Sequence, residues 1–403
     1  MHLLGIILGM SCLAAWIYLL AAHGSFWKVW RLGSDVSPVD AVNGTIALVI
    51  PARDEAEVIG ATIAVVIPAR NEAEVIGATV QSLLGQSCAE SIRIFVVDDH
   101  STDGTAEVAR QVAQACGRPE AATVISGRAL PAGWTGKLWA VQQGIDQALR
   151  IDPDFLLLTD ADIQHGRSNV ATLIAIAESG NYDLASFMVK LHCRSSAEKL
   201  LIPAFVFFFF MLYPPDWIRD MRRKVAGAAG GCMLIRPQAL QNAGGMAAIR
   251  GHIIDDCALA RAVKVSGGRV WLGVTPDTMS TREYVSFGEI ERMISRTAFN
   301  QLRHSAALLV GSIAGLAVTY LLPLALLLSG NTLLVALGAL CWLLMAIAYA
   351  PMVRFYGFSA VWALTLPAAA TFYMFATVHS AVKFWSGRGG EWKGRTQDVI
   401  ARQ

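Results

Sequence analysis

An α/β domain with a largely parallel sheet, flanked by membrane-spanning helices, is the architecture this sequence predicts. Three observations carry the prediction. Short β-branched runs alternate with amphipathic stretches through the middle of the chain: IAVVIP, IRIFVV and FLLLT, then CMLIR and RVWLG. Apolar runs of this kind are buried on both faces, as in parallel sheets covered by helices. Uncharged segments of spanning length stand near both termini. Only 16% of the 403 residues are charged, and a mean hydropathy of +0.47 is too apolar for an ordinary soluble protein.

Leu3 to Ala22 is an uncharged stretch long enough to cross the hydrocarbon core. It starts Met-His, without the basic residues that open a cleaved signal, so it reads as an anchor. Lys28 and Arg31 follow it and place the next segment in the cytoplasm. Ala306 to Ser329, Thr332 to Pro351 and Phe358 to Val382 also lack Asp, Glu, Lys and Arg. Pro323 and Pro367 are tolerated in such helices and can kink them. Three crossings would leave the tail outside, whereas Lys383, Arg388, Lys393, Arg395 and Arg402 favour the cytoplasm. One re-entrant segment would reconcile the two. Leu200 to Tyr213 is too short to span and suits either a buried core or an interface, with Arg222, Arg223 and Lys224 nearby for anionic headgroups.

A net charge of +2 gives no basic excess for nucleic acid. Seven scattered cysteines without a CxxC pair argue against a disulfide framework or structural zinc. Ile46 to Thr62 is repeated almost unchanged as Ile63 to Thr79, one strand–turn–helix start copied in tandem. Only one copy fills one place in the sheet. The second is expected there, because its helix continues through Val80 to Leu84.

In open α/β sheets ligands bind beyond the carboxyl ends of the strands, and the first three runs end directly in polar residues. VVDDHSTDGT sets Asp98 and Asp99 at such an end, where carboxylates can hold a ribose or base edge. The same stretch suits an N-capped helix start through Ser101 and Asp103. In LLLTDADIQH, Asp160 and Asp162 are two apart and share a side if the strand geometry persists. Paired carboxylates suit a divalent cation, Mg²⁺ or Mn²⁺, holding a nucleotide diphosphate; a solvated loop is the alternative. GWTGKLWA offers Lys137 to phosphate, or is a plain helix start, and VAGAAGGCMLIR permits close backbone approach. Asp255 and Asp256 open an amphipathic helix, either matching its dipole or supplying a general base. The helix N-terminus is expected to favour the ionised form of Asp256.

Taken in order, PARNE, VVDDHSTDGT, GWTGKLWA, TDAD, GGCMLIR and IDDCALARAVKVSGG resemble the inverting, GT-A-fold family 2 glycosyltransferases over about Ile63 to Arg303. The flanking helices, the FFFF segment and the closing EWKGR resemble a narrower group, the hopene-associated glycosyltransferases of bacterial hopanoid gene clusters. The resemblance implies that Pro68, Arg70 and Glu72 border the nucleotide pocket, and that Asp98 and Asp99 meet base and ribose. It implies Asp160 and Asp162 as the metal pair, Asp256 as catalytic base, and Asp255 where the family usually has Glu. Processive members carry QxxRW; here Gln301, Arg303 and His304 read QLRH, which weakens a polymer-synthase reading. Arg303 is assigned to the donor diphosphate on the same basis.

The implied divisions are an anchor over 1–24, a linker with the first repeat copy over 25–62 and a GT-A domain over 63–303. A transmembrane region over 304–384 and a basic tail over 385–403 follow. The implied activity is transfer from a nucleotide-sugar to a lipid or lipid-linked acceptor at the inner membrane, with the catalytic domain cytoplasmic. The alternatives are a processive polysaccharide synthase and a non-catalytic membrane scaffold or transporter component. The latter predicts ionisable residues within spans, which here hold only His379.

Overall fold

The computed structural model describes residues 2–29 and 61–387, with the two-residue strands Glu391–Trp392 and Arg395–Thr396. The chain opens with α1 (His2–Ala21) and continues with β1 (Ile63–Ala69), α2 (Ile76–Leu84), β2 (Ile92–Asp98), α3 (Thr105–Ala115) and β3 (Ala122–Ser126). Next come α4 (Gly136–Ala148), β4 (Phe155–Leu158), β5 (Ile163–Gln164), α5 (Asn169–Ser179), β6 (Leu184–Lys190), α6 (Ser196–Leu212) and α7 (Pro215–Arg219). Then follow β7 (Met233–Ile235), α8 (Pro237–Asn242), α9 (Asp255–Val265), β8 (Val270–Ser280), α10 (Phe287–Ser295) and α11 (Ala298–Gln301). The last helices are α12 (Ala306–Leu316), α13 (Leu322–Leu327), α14 (Thr332–Phe355) and α15 (Leu366–Trp385). Among the described residues two compact units form: residues 61–192 and 217–282 make an α/β unit, and residues 2–29, 193–216 and 283–387 a helical one.

The α/β unit holds an eight-stranded sheet in the order β3-β2-β1-β4-β7-β6-β8-β5. Pairs β2–β3, β1–β2, β1–β4 and β6–β8 are parallel; β4–β7, β6–β7 and β5–β8 are antiparallel. The sheet is thus mostly parallel, and β7 runs against its neighbours. Every residue of β1 and β4 is buried, as their unbroken apolar composition requires. Amphipathic α2 covers the sheet with Ile76, Val80, Leu83 and Leu84, spaced to line one helix face. Helix α4 approaches more closely: a Cβ on Gly144 would lie 2.4 Å from Val66 Cγ1 and 3.1 Å from Val97 Cγ2.

The second copy of the tandem repeat supplies β1, in register with Ile92 on one side and Phe155 on the other. Of the first copy, Ile46 to Gly60 lies outside the described residues. Its last residue, Thr62, donates its backbone N–H to Asp154 Oδ2 at 2.7 Å, fixing the entry to β1.

Five helices are long and apolar enough to cross a membrane: Leu3–Ala21, Ser196–Arg219, Ala306–Leu327, Thr332–Phe355 and Ala360–Trp385. In the second, the apolar helix is longer than the Leu200 to Tyr213 segment read from the sequence. The helix starts earlier, through a capping box in which Ser195 Oγ accepts Glu198 N–H and Glu198 accepts the backbone of Ser195. The buried Glu198 carboxylate also accepts the N–H groups of Arg194 and Tyr284. Phe207 and Phe210 of the FFFF run are buried, Phe207 against Phe26 and Tyr349.

Near Pro323 the third span turns π-helical over Ala317–Leu321. There Thr319 O accepts the indole N–H of Trp16 at 3.1 Å, which supplies a partner where the ladder is disturbed. Pro367 lies in the first turn of α15 rather than in its interior, where its missing N–H costs nothing.

Candidate active site

The carboxyl ends of β1 and β2 turn together, and side chains zip the two turns. Asn71 adopts left-handed backbone at φ 51° and donates its N–H to Ser101 Oγ, while its Oδ1 accepts Thr102 N–H. Glu72 N–H donates to Thr105 Oγ1 and Ala73 N–H to Asp103 Oδ2. Ser101 therefore braces the neighbouring turn instead of capping α3; Asp103 accepts Thr105 N–H, and Gly104 at φ 89° occupies the cap position. Arg70 Nη1 donates to the Asp99 carbonyl at 2.7 Å and stands 3.4 Å from its carboxylate. Asp99 is buried, whereas Asp98 is only half-buried and accepts Ser101 N–H through Oδ1 at 3.3 Å. Gly127 N–H reaches the Asp98 carbonyl at 2.8 Å, and a Cβ at Gly127 would lie 3.0 Å from that oxygen.

Beside them, Thr135 caps α4 by accepting Leu138 N–H, which sets Lys137 in the first turn. Lys137 Nζ lies 2.9 Å from Asp160 Oδ1 and 3.1 Å from Asp255 Oδ2. Burial disfavours its charge, but Asp160, Asp255 and Asp256 outweigh that and hold the ammonium above its ordinary pKa. Asp160 is raised, first by burial, with Asp162 and Asp255 adding to it and Lys137 opposing. Pro68, Lys137, Thr159, Asp160, Gly230 and Asp255 line one small cleft here.

The extended geometry expected across Asp160 and Asp162 does not persist. Strand β4 ends at Leu158, and the chain turns before β5. The two carboxylates consequently meet different cations: Asp160 meets Lys137, and Asp162 Oδ2 accepts Arg282 Nε at 2.7 Å. Arg282 also donates from Nη2 to Glu72 Oε1 at 3.1 Å, joining Glu72 to Asp162. Sequence reasoning missed Arg282, which follows β8 in a polar stretch without periodicity.

Asp255 and Asp256 open α9. Asp256 Oδ2 accepts Gly230 N–H at 2.9 Å and Oδ1 accepts Cys257 N–H at 2.7 Å, so the GAAGGC loop rests on this carboxylate. Burial, then Asp255, raises the Asp256 carboxyl to about 6, against Lys137 and the two N–H groups. The helix terminus is expected to favour the ionised form; burial opposes this and is the larger influence on the carboxyl. At the far end of α9, Lys264 Nζ donates to the carbonyls of Trp217, Ile218 and Val225 at 3.0, 2.6 and 2.7 Å.

Of the expected site residues, the α/β unit brings together Lys137, Asp160, Asp255 and Asp256, joins Glu72 to Asp162, and pairs Arg70 with Asp99. Arg303 belongs to the helical unit, at φ 52° in the turn between α11 and α12. There Gln301 donates to the Tyr213 hydroxyl at 2.6 Å.

A mostly parallel sheet with acid pairs beyond its strand ends is a GT-A-type fold. Residues 64–244 match the profile of Glycosyl transferase family 2. The chain carries a family 2 glycosyltransferase domain and is a glycosyltransferase. Among solved structures it is similar to a mannosyltransferase from Pyrobaculum calidifontis in complex with GDP-Man and Mn²⁺. That match has 16% identity, covers 94% of this chain and 99% of that one, and has a TM-score of 0.53. It is also similar to glucosyl-3-phosphoglycerate synthase from Mycobacterium tuberculosis in complex with Mn²⁺, UDP-Glc and glycerol 3-phosphate (20% identity, 68% and 87% covered, TM-score 0.40). A third is mannosyl-3-phosphoglycerate synthase from Rubrobacter xylanophilus, at 19% identity, 70% and 82% coverage and a TM-score of 0.38. No curated protein matches the sequence significantly.

Proposed function

We propose that the protein is a membrane-bound, inverting glycosyltransferase that moves a sugar from a nucleotide-diphosphate donor to a lipid-linked acceptor, a polyprenyl phosphate or a hopanoid. One observation carries the reading: Lys137 stands between Asp160, on the donor side, and Asp255, beside the proposed base. In this reading Asp98 and Asp99 receive ribose and base, with Pro68, Arg70 and Glu72 around them. Asp256 accepts the proton of the acceptor's O–H, an alcohol or a monoprotonated phosphate, whose oxygen attacks the anomeric carbon as the bond to the diphosphate breaks. Lys137 faces the charge that develops on the leaving group.

Asp160 and Asp162 suit a hard divalent cation, Mg²⁺ or Mn²⁺, because both offer carboxylate oxygens from one short turn. Among the described residues no cluster of three or more His, Cys, Asp or Glu is poised to hold a metal. Asp160 and Asp162 would hold such a cation together with donor phosphates, the usual mode for Mg²⁺. When bound there, it would supply charge neutralisation for the leaving diphosphate. The Mn²⁺ in the similar mannosyltransferase supports this reading.

The apolar helices support a lipid acceptor, and Lys28 and Arg31 after α1 support a cytoplasmic site on the inner membrane. In this reading α6 makes no complete crossing. Strands β6 and β7, before and after it, pair at Leu184 with Ile235, and a crossing would separate them by the bilayer.

The test is an assay of protein in lipid against a panel of nucleotide-sugars, with polyprenyl phosphate and hopanoid acceptors. Metal-dependent transfer to one of these lipids is expected, and Asp162→Asn should weaken metal-dependent donor binding. Full turnover in excess EDTA would remove the cation, and transfer only to soluble acceptors would remove the lipid.

A further inference from the structure

Each acid of the Asp160–Ala161–Asp162 turn has its own basic partner, and the partner of Asp162 is the more exposed. The Arg282 side chain keeps 39% of its accessibility, against 10% for Asp162 and 13% for Glu72. Its place is set by the backbone: Thr281 donates both N–H and Oγ1–H to the Asp162 carbonyl, at 2.8 and 3.0 Å. The chain after β8 is latched to the acid turn one residue before Arg282, so the guanidinium reaches Asp162 Oδ2 and the Glu72 carboxylate together.

We infer that Arg282 is a donor-binding residue that exchanges between Asp162 and the donor diphosphate, coupling cation binding to donor binding. The inference rests on the reading of Asp162 as a cation ligand. A divalent cation at Asp162 competes with Arg282 for an oxygen the guanidinium already holds. Released from Asp162 with Glu72 left to pair it, Arg282 stays as a positive group beside a doubly charged ion, and the cation binds poorly. A diphosphate reverses the balance. A guanidinium fork matches phosphate oxygens as well as carboxylate oxygens, so Arg282 leaves Asp162 for a partner of equal quality. Each ligand then favours the other by the same factor, as linkage requires. A merely structural Arg282 would predict the opposite sign, because removing it would loosen Asp162 and weaken cation binding.

The experiment titrates Mn²⁺ into the full-length protein in nanodiscs, by electron paramagnetic resonance, with and without inorganic pyrophosphate. Arg282→Gln is expected to bind Mn²⁺ alone about tenfold more tightly than wild type and to lose a similar factor of the enhancement by pyrophosphate, within the usual range of coupling between sites. Arg282→Lys, which keeps the charge without the fork, should fall between them and carries the test if the glutamine variant does not fold. Unchanged or weaker Mn²⁺ binding by both variants overturns the inference while the wild type still binds Mn²⁺ with pyrophosphate. If the wild type binds no Mn²⁺ even with pyrophosphate, the cation reading of Asp162 falls first and this inference with it.

Discussion

Asp256 accepts the backbone N–H of Gly230 at 2.9 Å, so the proposed base and the glycine loop leading to β7 hold each other. Both carboxylate oxygens already take one N–H, yet a carboxylate offers about four lone-pair sites and keeps room for a substrate proton. Asp256→Asn removes the base with little change of shape. Transfer should fall ~10²–10⁴-fold, while donor binding survives. The amide must turn its NH₂ toward one of the two N–H groups, so a stability loss of about 1–3 kcal/mol should accompany it. Asp255→Asn should cost less activity. Near wild-type transfer by Asp256→Asn would show that the base lies elsewhere.

The pH profile should carry the same carboxylate. Burial lifts Asp256 to about 6, so it is ionised above that pH and protonated below it. In the proposed mechanism the ionised form of Asp256 is the active one. kcat/KM should therefore level off above about pH 6 and drop about tenfold per unit below it. The Asp256→Asn variant should lack this acid limb. A limb kept unchanged in that variant would assign it to another group.

Gly144 tests how α4 is seated. An alanine there puts a methyl 2.4 Å from Val66 Cγ1, within the buried face of β1. Gly144→Ala should destabilise by about 1–3 kcal/mol through overpacking, read as a lower melting temperature. Adding Val66→Ala should return part of the loss, since the clash is between those two side chains. Strictly additive effects would show that the helix shifts without strain.

Removing Ile46 to Thr62 should leave a folded, active enzyme. The cut brings Thr45 directly before Ile63, so a threonine again precedes β1, and its N–H replaces that of Thr62 at Asp154. β1 and the turn carrying Arg70 and Glu72 come from the retained copy. Loss of folding or activity after this deletion would show that the first copy is needed beside the second.

The strands were legible because burial on both faces leaves runs such as IAVVIP and FLLLT that few other contexts require. Side-chain partners across the sheet were less so. Arg282 reaches Asp162 and Glu72 only because β8 ends beside the acid turn, a closeness that no local spacing encodes. The full length of α6 was legible in part: Ser195 and Glu198 form the capping-box spacing ahead of the apolar run. The ionisation of Asp256 was less legible for a physical reason, since sequence displays the helix terminus but not the desolvation that opposes it.

Helix α9 is buckled at both ends to a single length of chain. Its first turn holds Gly230 through Asp256, and its last turn holds Trp217, Ile218 and Val225 through Lys264. Opening either fastening strains the other, so residues 217–230 and 255–264 should breathe as one cooperative piece rather than as a loop beside a rigid helix. Arg222, Arg223 and Lys224 ride on that strap between its two buckles, exposed to solvent. Any anionic surface that holds them would pull on the same belt that Asp256 fastens at its other end.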